Sequence, residues 1–115
     1  MANIYSPKQL KKVALKAGMS EAKQREFVAK MLELGSGQSQ ISGGFGDARA
    51  RFVKVGKMTS FIKGLGKDEI NRLETACENV LEKERKNPIR AFFGYAAKAE
   101  SLARSVKDYA AAVKL

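Results

Sequence analysis

The sequence predicts an all-α fold of about five helices, with a glycine-rich loop between helices two and three and a long C-terminal helix. Apolar residues recur at spacings of three and four along most of the chain. Capping residues precede several of these stretches, and glycine or proline follows them. A chain of 115 residues with 44% hydrophobic content is sized for one small helical domain spanning 1–115.

The first two helices are predicted from their end signals. Ser6 is a capping residue and Pro7 suits the first helical position, where a missing N–H costs no hydrogen bond. We expect this helix to end at Ala17, because a glycine follows. Ser20 is expected to cap a second helix that ends at Gly35. Its apolar stripe consists of Phe27, Val28, Met31, Leu32 and Leu34.

A loop and a third helix are predicted next. Residues 35–46 carry five glycines and almost no charge, which indicates a loop. Asp47 is expected to cap the third helix, although two nearby valines leave a strand open as an alternative. The apolar positions of this helix are Phe52, Val55, Met58, Phe61, Ile62 and Leu65.

The second half of the chain predicts two more helices. Asp68 is expected to cap the fourth, which ends at Asn87 and Pro88. Cys77 lies on its apolar face and is interpreted as a small buried hydrophobe. A heptad pattern from Phe92 to Val113 predicts one long last helix, which either packs within the chain or forms a homodimer through residues 92–113. The apolar face of the fourth helix consists of Ile70, Leu73, Cys77, Val80 and Leu81.

The charge of the chain points to a polyanionic partner. Lys and Arg number 22 against 12 acidic residues, so the net charge is +10. Residues 1–66 hold 12 basic and 4 acidic residues, whereas residues 67–115 hold 10 and 8. The first half is therefore strongly basic, and the second is expected to be a mixed-charge helical scaffold.

The composition argues against several functional classes. The chain has no histidine, which excludes imidazole-based catalysis and metal binding, and its single cysteine cannot form an internal disulfide. We therefore predict no enzymatic activity, no metal and no cofactor. No apolar run is long enough to span a bilayer, and the first residues lack the pattern of a signal peptide. The expectation is a cytoplasmic protein that does not bind membranes.

A local motif in residues 58–73 carries the most specific functional signal. A helix with apolar residues ends at Lys63, Gly64-Leu65-Gly66 follows, and Lys67 opens the next helix. This stretch of 16 residues resembles the helix-hairpin-helix motif of non-specific DNA-binding proteins. The resemblance implies that backbone amides of the hairpin face a DNA phosphate, with the lysines adding charge. The same residues also fit a plain glycine-containing turn between two helices.

Two further basic clusters complete the predicted interface. One follows the glycine-rich loop and the other lies on the first helix, where its members are predicted to share one face. The resulting hypothesis is a small nucleic-acid-binding protein that contacts phosphates of double-stranded DNA without reading sequence, with RNA possible. The alternative is a helical adaptor that docks an acidic protein partner or dimerises through the C-terminal helix. The clusters are Arg49, Arg51, Lys54 and Lys57, and Lys8, Lys11 and Lys12.

Overall fold

The computed structural model describes residues 3–36 and 45–114, with side chains described from residue 52 onward in the third helix. This part of the chain contains six helices and no strand, so the all-α prediction is confirmed. The helices are α1 (Pro7–Lys16), α2 (Glu21–Gly35), α3 (Phe45–Lys63), α4 (Lys67–Arg85), α5 (Pro88–Phe92) and α6 (Tyr95–Lys114).

The predicted ends of α1 and α2 are confirmed. The Ser6 hydroxyl accepts a hydrogen bond from the Gln9 amide at 3.4 Å, and the Ser20 hydroxyl accepts one from the Lys23 amide at 3.3 Å. Gly18 adopts a φ of 79°, a conformation that favours glycine. These local signals separate two helices with only four residues between them.

The starts of α3 and α4 differ from the prediction. α3 begins at Phe45 rather than after an Asp47 cap, and residues 37–44 of the predicted glycine-rich loop lie outside the described residues. The N-cap of α4 is Gly66, whose carbonyl accepts from the Ile70 amide at 3.0 Å, which places Asp68 inside the first turn. Phe52 is 78% exposed, and Val55 is the first of the described α3 side chains that packs against the core.

The predicted long C-terminal helix is confirmed as α6, but it begins at Tyr95 rather than at Phe92. Asn87 caps the short helix α5, and Gly94, at a φ of 87°, then redirects the chain into α6. A left-handed residue at this point breaks the helical path, so the heptad pattern crosses a turn. Phe92 is consequently 84% exposed, although Leu102 and Val106 are buried.

The core is organised around α4, which packs against α6 on one side and α1 on the other. The apolar face predicted for α4 is buried along its whole length. Ion pairs from Lys114 to Glu74 and from Arg85 to Glu100 show that α6 runs antiparallel to α4. α2 and α3 complete the bundle, with the rings of Phe27 and Phe61 6.2 Å apart.

The N-terminal segment is fastened across the end of α2. Asn3 donates from Nδ2 to the Leu32 carbonyl at 2.8 Å, and the Ile4 amide donates to the Gly35 carbonyl at 3.0 Å. The hydroxyls of Tyr5 and Ser105 share a hydrogen bond of 2.5 Å, which links this segment to α6. The close approach depends on a glycine at the end of α2.

We expect Gly35→Ala to lower the free energy of unfolding by about 1–3 kcal/mol, since the new methyl group would overlap Asn3 Oδ1 and the Tyr5 ring. Gly56→Ala in α3 is the matched control, because nothing lies within 4 Å of the added carbon. A gain of about 0.5–1 kcal/mol is expected there. Urea unfolding measures both, and equal effects at the two glycines would contradict the close packing at Gly35.

Cys77 is expected to resist thiol reagents in the folded protein. Burial, and to a lesser extent the carboxylates of Glu78 and Glu74, raises the pKa of its thiol from 9.0 to about 12. Modification by a disulfide reagent at pH 8 should therefore be slow until denaturant is added. Because the unfolded thiol ionises first, folding stability should fall between pH 9 and 12 more steeply than in Cys77→Ala. Rapid native labelling would contradict this burial.

Candidate nucleic-acid interface

A groove of about 420 Å³ lies between α1 and α4. α1 runs antiparallel to α4 here, since Arg72 hydrogen-bonds the end of α1 and Lys12 faces Lys83 near the end of α4. The wall of this α1–α4 groove carries hydrogen-bonding and cationic side chains and no carboxylate. Its lining residues are Lys16, Asn71, Arg72, Thr75, Ala76 and Asn79.

Four cations from three helices interact electrostatically, and one of them, Lys16, lines this groove. They are Lys12 and Lys16 on α1, Lys83 on α4 and Arg90 on α5, and we refer to them as the cation cluster. Repulsion by Lys83 is the largest cause that lowers the pKa of Lys12, followed by burial and by repulsion from Lys16. Arg90 acts in the same direction. The positive charges are therefore close enough to oppose one another.

Carboxylates neutralise this cluster only in part. Among the described residues, Lys12, Lys16 and Lys83 form no ion pair within 4.0 Å. Arg90 does, because its Nε donates to both carboxylate oxygens of Glu84 at 2.9 Å. Glu84 also raises the pKa of Lys12, by less than Lys83 and Lys16 lower it but by more than Arg90 does. The cluster keeps a surplus of positive charge.

Arg72 connects the fold to the groove. Its Nε donates to the Ala17 carbonyl at 2.9 Å and so satisfies a carbonyl at the end of α1. The guanidinium also lies 3.4 Å from the position that a Cβ would take at Gly18. This hydrogen bond holds the guanidinium at the groove wall, where its remaining N–H groups can meet an anion.

Three other surface grooves differ from this one in charge. The groove between α1 and α2 is lined in part by Glu21, and the groove between α2 and α3 by Glu26. A groove between α4 and α6 contains both Glu74 and Glu78. Each therefore presents at least one carboxylate to an incoming ligand, and the α1–α4 groove is the one best suited to a polyanion.

The lysines predicted on the first helix do not share one surface. Lys12 faces α4 and belongs to the cation cluster, whereas Lys11 lines the groove against α2. Lys8 is exposed one turn before Lys12. Packing of α1 between two neighbours divides its polar side chains, so that Lys11 lies on the α2 side and Lys12 on the α4 side.

The turn between α3 and α4 presents Lys63, Gly64, Gly66 and Lys67 at the surface, with Leu65 buried beneath them. Neither glycine has a positive φ, and Gly66 makes no side-chain cap. The first turn of α4 contains Asp68 and Glu69, and Glu69 is paired with Lys23 at 3.2 Å. These acidic groups already complement the positive end of the helix.

This turn is separate from the α1–α4 groove. Lys67 and Arg72 are five residues apart on α4, so their side chains lie about 140° apart around the helix axis. Of the cluster predicted after the glycine-rich loop, Lys57 is exposed beside Glu26 and Lys30, and Lys54 is partly buried. The side chains of Arg49 and Arg51 lie outside the described residues.

Sequence reasoning missed Lys16, Arg72, Lys83 and Arg90 as site residues. Lys12 and Lys16 are four residues apart on α1 and so share a face, which the sequence alone was able to indicate. On α4, a run of neutral polar residues at Asn71, Thr75 and Asn79 interrupts an otherwise acidic helix. Their meeting with the lysines of α1 depends on helix packing.

Comparisons of the chain with protein-family models, with curated proteins and with solved structures find no match. Within the described helices, none combines the length and apolar content that a bilayer-spanning segment needs. The functional inference therefore rests on the geometry and charge of the α1–α4 groove.

Lys83→Gln should move the pKa of Lys12 back toward 10.5, because it removes the largest repulsive cause. A lowered pKa in the folded state means that stability rises as pH rises through that pKa toward 10.5, and this rise should shrink in the variant. NMR titration of the lysine side chains measures the shift. Lys107→Gln on α6 is the control, and an equal effect there would contradict the proximity of Lys12 and Lys83.

Proposed function

We propose that this protein binds nucleic acid through phosphate contacts in and around the α1–α4 groove, with double-stranded DNA as the favoured ligand and no reading of base sequence. The role is binding rather than catalysis. The observation that carries the proposal is the cation cluster, in which three helices bring like charges together beside a groove without carboxylates.

The energetic cost of the cluster supports a polyanionic ligand. Repulsion from Lys83, together with burial and repulsion from Lys16, lowers the pKa of Lys12, so the charged form of this lysine is disfavoured in the folded protein. Bound phosphates would attract the cations that otherwise repel one another. Their binding would also release the counterions held by the nucleic acid. A backbone of regularly spaced phosphates can meet several of these cations at once.

The neutral polar residues of the groove suit the same ligand. Asn71, Thr75 and Asn79 are exposed and spaced by four along α4. Amide and hydroxyl groups donate hydrogen bonds to phosphate and sugar oxygens, which fix the position of a protein on the backbone without carrying sequence information. Together with Lys16 and Arg72 they favour phosphate contacts over recognition of base edges.

The α3–α4 turn and the remaining lysines extend the proposed contact surface. Lys63 and Lys67 lie on either side of exposed glycines, so their ammonium groups can reach a phosphate, whereas the amides of Gly64 and Leu65 already donate to carbonyls of α3. We propose this turn as a second phosphate contact, as the local resemblance to the helix-hairpin-helix motif implies. Lys57 and Lys8 are exposed as well and would add electrostatic attraction.

The alternative function is an adaptor that docks an acidic protein. The same cation cluster would serve it, because surplus positive charge attracts acidic side chains as well as phosphates. A dimer formed through the C-terminal helix fits the structure less well. Leu102 and Val106, the central residues of the predicted seam, are buried in the core of the chain itself.

Titration of a labelled random DNA duplex by fluorescence anisotropy, at several salt concentrations, tests the proposal. We expect Lys16→Gln and Lys83→Gln each to weaken binding similarly for unrelated sequences. Each should reduce the slope of log affinity against log salt by about 0.9, because each removes one phosphate contact. Lys107→Gln, which removes the same charge from the groove containing Glu74 and Glu78, should leave the slope nearly unchanged.

Two results would overturn this function. One is the absence of binding to duplex, single-stranded DNA and an RNA hairpin at low salt. The other is an equal loss in Lys16→Gln and Lys107→Gln, which would show that net charge alone and not the groove is responsible. Binding of poly-glutamate that depends on Lys16, without binding of nucleic acid, would favour the adaptor.

A further inference from the structure

The short helix α5 and the residue after it expose three large apolar side chains side by side. Ile89 and Phe93 are each 69% exposed and Phe92 is 84% exposed. We call these three residues the α5 aromatic patch. The two rings are 5.4 Å apart and nearly perpendicular, at 84°. Exposure of this much apolar surface in so short a segment opposes solubility and favours a binding role.

The patch is held in a defined position rather than on a free loop. The Asn87 side chain accepts from the amides of Ile89 and Arg90 at 3.1 and 3.2 Å, which fixes the start of α5. Gly94 ends the segment and leads directly into α6. The rings are therefore preorganised for a ligand by their contact with each other and by the capped helix beneath them.

Arg90 joins the patch to the cation cluster. It lies on α5 between Ile89 and Phe92, pairs with Glu84 and places its guanidinium carbon 4.2 Å from the centre of the Tyr95 ring. It also lowers the pKa of Lys12, by less than its partner Glu84 raises it. A ligand that reaches from the cluster to the patch must therefore carry negative charge at one end and a flat or apolar group at the other.

We propose that the α5 aromatic patch stacks on unpaired bases of a nucleic acid whose backbone lies along the cation cluster. This inference rests on the proposed function and specifies its ligand: single-stranded nucleic acid, or a duplex with an adjoining single-stranded segment. Stacking on an aromatic ring requires an exposed base face, which an intact duplex offers only at its ends. Phosphates of the same strand satisfy the cations.

A bilayer surface fits the patch less well than bases do. Membrane affinity grows with the apolar area that is buried, and the patch provides three side chains, from a helix of five residues and the residue that follows it. The local cations Arg85 and Lys86 are already paired with Glu100 and Glu82. The surplus charge lies on the side of the cluster, where an extended polyanion reaches it.

The test measures the affinities of a labelled single strand, a blunt duplex and the same duplex with a single-stranded overhang. Phe92→Ala/Phe93→Ala should weaken binding of the single strand and of the overhang by roughly tenfold or more, because each ring is expected to stack on a base. Blunt duplex binding should change by less than about threefold. Phe52→Ala is the matched control, since Phe52 is 78% exposed on α3, away from this patch.

A fluorescent reporter distinguishes stacking on bases from non-specific adsorption. The chain has no tryptophan, so Phe92→Trp and Phe52→Trp each introduce a single indole. Single-stranded DNA should quench the indole at position 92, and only weakly the one at position 52. Vesicles containing anionic lipid should leave both spectra unchanged, whereas a blue shift at position 92 with vesicles, and no quenching by DNA, would overturn the inference in favour of a lipid surface.

The outcomes distinguish this inference from the proposed function. Duplex binding that depends on Lys16 and Lys83, without a loss of single-strand affinity in the double alanine variant, would overturn stacking and leave the phosphate interface intact. Lack of binding to any nucleic acid would overturn both. Since all three patch residues are exposed, circular dichroism and thermal unfolding should show the variants folded.

Discussion

Burial of the apolar face of α4 is the constraint on which the rest of the structure depends. Leu73, Cys77 and Val80 are nearly inaccessible to water, and α1 and α6 supply the surfaces that cover them. Removing this much apolar surface from water is the largest favourable contribution to a small helical domain. Every surface feature described above follows from where these two neighbours must lie.

The position of α1 against α4 creates the α1–α4 groove. Covering one side of α4 with the apolar face of α1 brings the polar edges of both helices together. Lys12 and Lys16 then meet Lys83 from the partner helix, at an electrostatic cost that lowers the pKa of Lys12. Arg72 offsets part of the cost of packing by satisfying a carbonyl at the end of α1. The fold tolerates repulsion here because hydrophobic burial nearby outweighs it.

The position of α6 against α4 also decides which side chains stay exposed at the C-terminal end of α4. The chain must reverse direction between two antiparallel helices, and α5 with Gly94 makes that reversal. The residues that turn the chain are not covered by either helix, so Phe92 and Phe93 remain at the surface. The exposed position of the aromatic pair next to Arg90 therefore results from the connection between α4 and α6 as well as from the residue types.

Local signals predicted the fold to the extent that they act within one helix. The Ser6 and Ser20 caps, the left-handed Gly18 and the buried face of α4 needed only neighbouring residues to be recognised. The predictions failed at the connections between helices, where the local sequence pattern did not determine the point at which the chain turns. Asp68 resembles a cap, yet Gly66 starts the helix, and the spacing that begins at Phe92 continues across a turn.

The residues of the candidate site likewise divide into those that the sequence indicates and those that only helix packing brings together. Lysine content and the basic first half were readable from composition. Lys83 belongs to the mixed-charge second half and is 71 residues away from Lys12 along the chain, so no spacing rule connects the two. The separation of Lys11 from Lys12 required knowledge of which helices flank α1.

The sequence by itself determined that the chain is helical, where α1 and α2 begin and end, and that it carries a large positive charge. Those properties depend on backbone hydrogen bonds, caps and side-chain charges within a few residues of one another. Only the tertiary structure decided which cations meet, which groove lacks carboxylates and which aromatic rings remain exposed. These depend on how apolar faces pack across the chain, and packing joins residues that are distant in sequence.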